Sequence, residues 1–182
     1  GVENKQTFVF NYGPLWLKER NLADVAPEIR QKFSQGLTAV HVGVFAKIRG
    51  WPQLLKAMSM MKNSQMKLIA LGRVDEGKDA ILAEAARLNI QERIEILDRI
   101  PYEVMFDYLL CADIGLMLYQ PGVQNHVFAF PIKMYDYMLA GLPVIGPDFA
   151  VEVVPVIQEN SCGILVDTSD PMQIAEALDQ LC

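Results

Sequence analysis

Short apolar runs alternate along this chain with longer stretches in which apolar residues recur at helical spacing. The runs cover residues 38–44, 66–72, 93–97, 113–118, 143–146 and 162–166. Each is rich in Val, Ile and Leu and too short for a typical helix, the pattern of a strand buried on both faces. Between them, Trp51, Leu54, Leu55, Met58 and Met61 keep helical spacing over 51–61, with Pro52 in the first turn. Further helices are expected over 79–88, 103–111, 131–140 and about 171–181. The fourth is stopped by Gly141 and Pro143. Residues 1–37 fit less cleanly, with a leading strand over 7–10 and a peripheral helix over 23–33.

Repeated strand–helix units predict an α/β fold, a single Rossmann-like doubly wound parallel sheet of about six strands with helices on both faces. No internal repeat or low-complexity linker interrupts it. Residues 1–37 are therefore a leading segment and 38–182 one domain. Ligands of such sheets bind beyond the carboxyl ends of the strands. That singles out the loops 45–50, 73–78, 98–102, 119–130 and 147–149.

Composition narrows the chemistry. Over 182 residues, 52% are hydrophobic and 21% charged, with a net charge of −6, which excludes a disordered chain and disfavours nucleic acid and anionic lipid as partners. Any functional basic residues should sit locally, in a pocket. Cys111, Cys162 and Cys182 are odd in number and widely spaced, which suits a reducing cytosol better than a disulfide framework or a metal site. No apolar run approaches the roughly 20 residues of a membrane span. The first residue is Gly1 and not Met, so the expectation is a segment of a longer protein.

The stretch 125–146, NHVFAFPIKMYDYMLAGLPVIG, is the most informative. Pro131 opens a helix whose amino end faces the ligand side, where free N–H groups and the dipole favour an anion. Lys133 and Asp136 share one face, and Ile132, Tyr135 and Leu139 form the expected core-facing stripe. A lysine in the first turn opposes the helix dipole, which makes sense if it binds phosphate. The bland alternative is a solvated Lys133–Asp136 ion pair. In VGVFAKIRG, residues 42–50, a strand ends at Gly43 and Arg49 stands just before a helix. Gly43 would admit a ligand close to the backbone, and Arg49 offers a fork that fits phosphate.

These segments resemble the carboxyl-terminal domain of retaining GT-B glycosyltransferases of family 4, also termed group 1. There a strand ending in Gly is followed by a basic residue, Gly and a helix. A later helix reads roughly Pro-x-Lys-x-x-Glu-Tyr-Met-x-x-Gly-x-Pro-Val. Here that helix supplies Pro131, Lys133, Asp136, Tyr137, Met138, Gly141, Pro143 and Val144. The resemblance runs from about residue 38 to 181 and includes MKLIALG, RIEILDRIPYEVMFDYLLCADIGLMLY and CGILVDTSDPMQIAEAL.

The resemblance implies that Arg49 contacts the diphosphate of a UDP- or GDP-sugar and that Asp136 holds the ribose hydroxyls. Main chain at Phe130, Pro131, Ile132 and Lys133 would face sugar and phosphates, and main chain near Arg99–Ile100 the base. It implies metal-independent hexosyl transfer with retention, no cofactor, and a sugar or lipid-linked acceptor bound by the rest of a longer protein. The setting would be cytoplasmic, with peripheral association at the inner membrane as a variant for that longer protein, in polysaccharide or glycolipid synthesis. Three positions depart from the pattern. Phe128 replaces the first acidic residue, Asp136 is shorter than Glu, and Val44 stands where many relatives carry Arg.

Other features weigh less. Residues 72–78, GRVDEGK, match the Gly and Lys spacing of a P-loop, but Asp79 follows where Ser or Thr should hold Mg²⁺. Arg73 stays a pocket candidate. No Gly-x-Gly-x-x-Gly turn supports a dinucleotide oxidoreductase. His41 reads as structural, whereas His126, in the loop before the donor helix, is either a sugar contact or a plain loop residue. Tyr102, Tyr119, Tyr135 and Tyr137 read as packing residues, and nothing has metal-ligand spacing. Two rival functions stay open: a non-catalytic interaction module of the same fold, motivated by Phe128 and Val44, and a flavodoxin- or receiver-like domain.

Overall fold

The computed structural model describes residues 19–182. Six parallel strands form one sheet: β1 (Thr38–Val42), β2 (Lys67–Leu71), β3 (Ile94–Leu97), β4 (Ile114–Leu116), β5 (Val144–Pro147) and β6 (Gly163–Val166). Their order is β3-β2-β1-β4-β5-β6. All six expected runs are strands, each trimmed by a residue or more at one or both ends. β1, central in the sheet, is buried at every residue, the polar Thr38 and His41 included.

The helices are α1 (Pro27–Lys32), α2 (Trp51–Met60), α3 (Lys78–Arg87), α4 (Tyr102–Cys111), α5 (Gln124–Phe128), α6 (Ile132–Leu139), α7 (Val153–Asn160) and α8 (Pro171–Leu181). On one face of the sheet α2, α3 and α8 bury Leu54, Leu55, Met58, Ile81, Ile174 and Leu178. On the other, α1, α4, α6 and α7 bury Ile29, Phe106, Leu109, Met134, Tyr137 and Ile157. The doubly wound arrangement is therefore as expected.

Several expectations change. The expected strand over 7–10 lies outside the described residues. The expected helix over 23–33 is a 3₁₀ turn at Leu22–Asp24 followed by α1. That segment packs on the domain: Arg20 pairs with Asp107 at 2.7 Å, and Val25 and Ile29 are buried. α5 lies inside the stretch read as a loop. α7 gave no helical signal, because its Val-rich sequence and Pro155 argue against one. Pro155 falls in the first turn, where the missing N–H costs nothing.

The face of α6 is also corrected. Lys133, Met134, Asp136 and Tyr137 are buried, whereas Ile132 is 56% exposed. Tyr137 explains why the polar side turns inward. β1 and β4 pair only at Ala39–Ile114 and Val40–Gly115, then separate. The Tyr137 ring fills the gap, so close that a Cβ on Gly115 would lie 2.6 Å from it. Its hydroxyl accepts from Val42 N at 3.2 Å and donates to Leu116 O at 3.1 Å. These are backbone groups that the interrupted ladder leaves open. With Tyr137 anchored there, Lys133, one turn earlier, lands at the ends of β1 and β4.

Candidate functional site

The sheet order reverses between β1 and β4, so the crevice between their following loops is where a ligand should bind. After β1 the chain turns at Gly43, makes a 3₁₀ turn over Lys47–Arg49 and enters α2 through Gly50. Gly50 has φ +81°, and a Cβ there would stand 2.4 Å from Leu118 O. Only glycine therefore lets this turn press against the end of β4, where Gln120 N donates to Ile48 O at 3.0 Å. The contact carries Arg49 to Tyr119: Nη1 donates to the phenol oxygen at 3.0 Å, and Cζ lies 4.9 Å from the ring centre.

Lys133 reaches the same ring from α6, its Nζ 5.4 Å from the centre. Two cations 84 residues apart in sequence thus meet over one tyrosine. Lys133 is 7% exposed, and its ammonium has no hydrogen-bond partner among the described residues. Burial, then the charge of Arg49, push its pKa down to about 7, with Asp136 pulling the other way. A buried amine held beside a second cation and left unsatisfied is costly for folding alone. The solvated ion pair is excluded, since Asp136 instead receives the hydroxyl of Tyr102. Burial raises the Asp136 pKa, opposed by that bond and by Lys133.

A cleft of about 820 Å³ opens next to the cations over the ends of β1, β2 and β3, lined by Gly43, Gly72, Arg73, Ile100, Tyr102 and Met105. Gly43 joins cleft and cations: a Cβ there would lie 4.0 Å from Lys133 Nζ. Its φ of +101° also favours glycine. Arg73 lies at the rim, 71% exposed and paired with Asp75 at 2.9 Å. Lys78 pairs with Asp98, and Glu76 accepts from Lys47 N and Trp51 Nε1, so the P-loop-like segment braces its neighbours.

His126 is buried, its ring stacked on Tyr119 at 4.4 Å and 9°. Nδ1 donates to Gln120 O at 3.0 Å, and Nε2 is the ring nitrogen on the other side. It is therefore part of the cluster and not a plain loop residue. His41 is structural: Nε2 donates to Val44 O at 3.1 Å, and burial followed by the charge of Lys133 holds it well below the usual imidazole range. Phe130 and Pro131 are half-buried at the start of α6. The exposed side chain of Ile132 leaves only its main chain for a ligand. Phe128 is 66% exposed.

Sequence reasoning missed Tyr119 and Tyr102, read as packing, and did not weigh Gln120 and Thr168. Thr168 Oγ1 donates to Tyr119 O at 2.6 Å and Gln120 Nε2 to Thr168 O at 2.8 Å, which fixes the end of β4. The one available signal was that Tyr119 ends a strand on the ligand side. Among the described residues no group of three or more His, Cys, Asp or Glu could hold a metal, and no helix is long and apolar enough to cross a membrane.

Comparison with known proteins bears on the fold and the family. The probable glycosyltransferase WbjE of Pseudomonas aeruginosa is 22% identical over 145 residues, 77% of this chain and 34% of WbjE. Among solved structures, Anabaena HepE in complex with UDP matches with a TM-score of 0.73 and 14% identity, over 94% of this chain and 46% of HepE. The C-terminal domain of LpcC, a glycosyl transferase group 1 family protein of Francisella tularensis, matches at 0.63 and 17% identity, over 89% of this chain and 87% of that domain. The chain thus spans about a third of its curated relative. Its fold is the Rossmann-like half of the GT-B architecture. Residues 36–182 match the family model described as glycosyl transferases group 1, and the chain belongs to that family.

Proposed function

We propose that this chain is the donor-binding half of a glycosyltransferase that takes a hexosyl group from a nucleotide-diphospho-sugar. The carrying observation is the buried, unpartnered ammonium of Lys133, which shares the Tyr119 ring with Arg49 and lies next to Gly43 of the cleft. Such a pair is repulsive until an anion enters, and a diphosphate supplies negative charge on the scale of both cations. The base and ribose would occupy the cleft past Gly43, and His126 Nε2 would face the sugar. As the glycosidic bond breaks, charge develops on the leaving diphosphate, and the two fixed cations and the amino end of α6 stabilise it without a metal ion. The similar fold of HepE, solved with UDP and with UDP and glucose, supports this donor class. Retention, and a sugar or lipid-linked acceptor held by the remainder of a longer cytoplasmic protein, complete the reading.

The non-catalytic alternative needs an apolar or filled pocket at these positions, and a desolvated cation beside an open cleft weighs against it. Calorimetric titration with UDP, GDP and ADP tests the proposal. At least one should bind, and Arg49→Ala or Lys133→Ala should weaken it by about 30-fold or more, the scale of a lost charge-assisted contact. If none of the three binds, the reading is wrong.

A further inference from the structure

We infer that Tyr119 is a third donor in this cradle, giving its hydroxyl proton to a phosphoryl oxygen of the bound nucleoside diphosphate. The inference rests on the diphosphate reading above and adds a residue to it. Tyr119 is 6% exposed and immobilised from three sides: His126 stacks on its ring, Thr168 holds its carbonyl and Arg49 holds its phenol oxygen. A side chain that only filled space would have no need of so defined a hydroxyl.

The proton accounting is what points outward. Arg49 donates to the phenol oxygen and, having no lone pair, cannot take the phenol proton back. No hydrogen bond from that hydroxyl to a protein acceptor forms among the described residues, although the residue is otherwise enclosed. Burial pushes the phenol pKa up, against the pull of Arg49, so the proton is present at neutral pH. With Arg49 Cζ and Lys133 Nζ at 4.9 and 5.4 Å from the ring centre, an anion gathered by those cations arrives next to the free O–H. An O–H donated to a phosphoryl oxygen is a short, charge-assisted bond, made only when the anion is present. Sequence alone hides this, because nothing in it brings position 119 to position 49.

Two variants separate a donor from a packing residue, with UDP and uridine titrated into the 182-residue chain by ligand-detected NMR. Tyr119→Phe keeps the ring, the His126 stack and the cation–π contacts and removes the hydroxyl with the bond it accepts from Arg49. It should weaken UDP about tenfold and uridine by less than about threefold, since uridine carries no phosphate. Tyr119→Leu also removes the platform and should weaken UDP further, with uridine again much less affected. UDP binding by Tyr119→Phe within about twofold of the parent overturns the inference. So does an equal loss of uridine, which would mark Tyr119 as a packing residue. Failure of the parent chain itself to bind UDP, GDP or ADP would instead sink the diphosphate reading on which this rests.

Discussion

The two faces of the sheet make different commitments. The face covered by α2, α3 and α8 is mostly apolar, from Leu54 and Leu55 to Ile174 and Leu178, with the buried His41 set against Phe45. The face under α4 and α6 contains Tyr137, and at its upper edge Lys133 and Asp136 are buried as well. Apolar burial of the first kind stabilises in proportion to the area removed from water. A desolvated ammonium without a partner does the opposite. The contrast teaches that one half of the core holds the fold and the other spends part of that stability on a binding site.

The comparison breaks most sharply on the apolar face. Leu55→Ala should cost about 2–5 kcal/mol in denaturant unfolding, from lost transfer energy and the cavity left behind. UDP affinity of the folded fraction should stay within about twofold of the parent, as expected for distant and independent sites. A collapse of UDP affinity in a still-folded variant would show that the two faces are not separable.

Tyr137→Phe should cost less, about 1–3 kcal/mol, because it strands the N–H of Val42 and the carbonyl of Leu116. Here stability and UDP affinity should fall together, since the same residue seats α6. Unchanged UDP affinity would mean that Lys133 is positioned by something else.

Lys133→Met should move the two properties in opposite directions. At pH 7 it should raise Tm by about 2–6 °C while UDP binding is lost. The sign follows from the folded pKa of about 7, below the ordinary 10.5 of an unfolded lysine. Between those values the unfolded state holds the extra proton, so the parent gains stability as pH rises from about 7 toward 10.5. The cost is fully present below pH 7. The methionine variant should lack this rise, and a Tm gap between the two proteins that stays constant over the window would refute the buried-amine account.

The smallest expected effect sharpens the same point. A diphosphate favours the charged form of Lys133, so UDP binding should take up protons and weaken several-fold between pH 7 and 8.5. Calorimetry in buffers of different ionisation enthalpy reads the uptake directly.

Much of this was legible in the sequence. The six strands announce themselves because each run is short and rich in Val, Ile and Leu, and Arg49 and Lys133 stand out by where they occur relative to Gly50 and Pro131. What stayed hidden depends on meetings across long sequence separations. The inward face of α6 could not be read from helical periodicity, because Lys133 and Asp136 are polar and Ile132 apolar, and burial here follows Tyr137 instead of hydropathy. Tyr119 looked like packing because its partners, Arg49 and Thr168, lie 70 and 49 residues away. α7 was hidden by local bias, its valines and Pro155 arguing against a helix.

The wedge made by Tyr137 has one more consequence. Its hydroxyl is bolted to both strands at the point where they part, and Lys133 rides on the same helix a single turn away. The cation therefore inherits its coordinates from the sheet and not from the long connection that precedes α6. Within that connection, residues 121–125 lie outside the side-chain contacts of Tyr119, Gln120 and His126 and can be rewritten for a different sugar while the charge that grips the leaving group stays where it is.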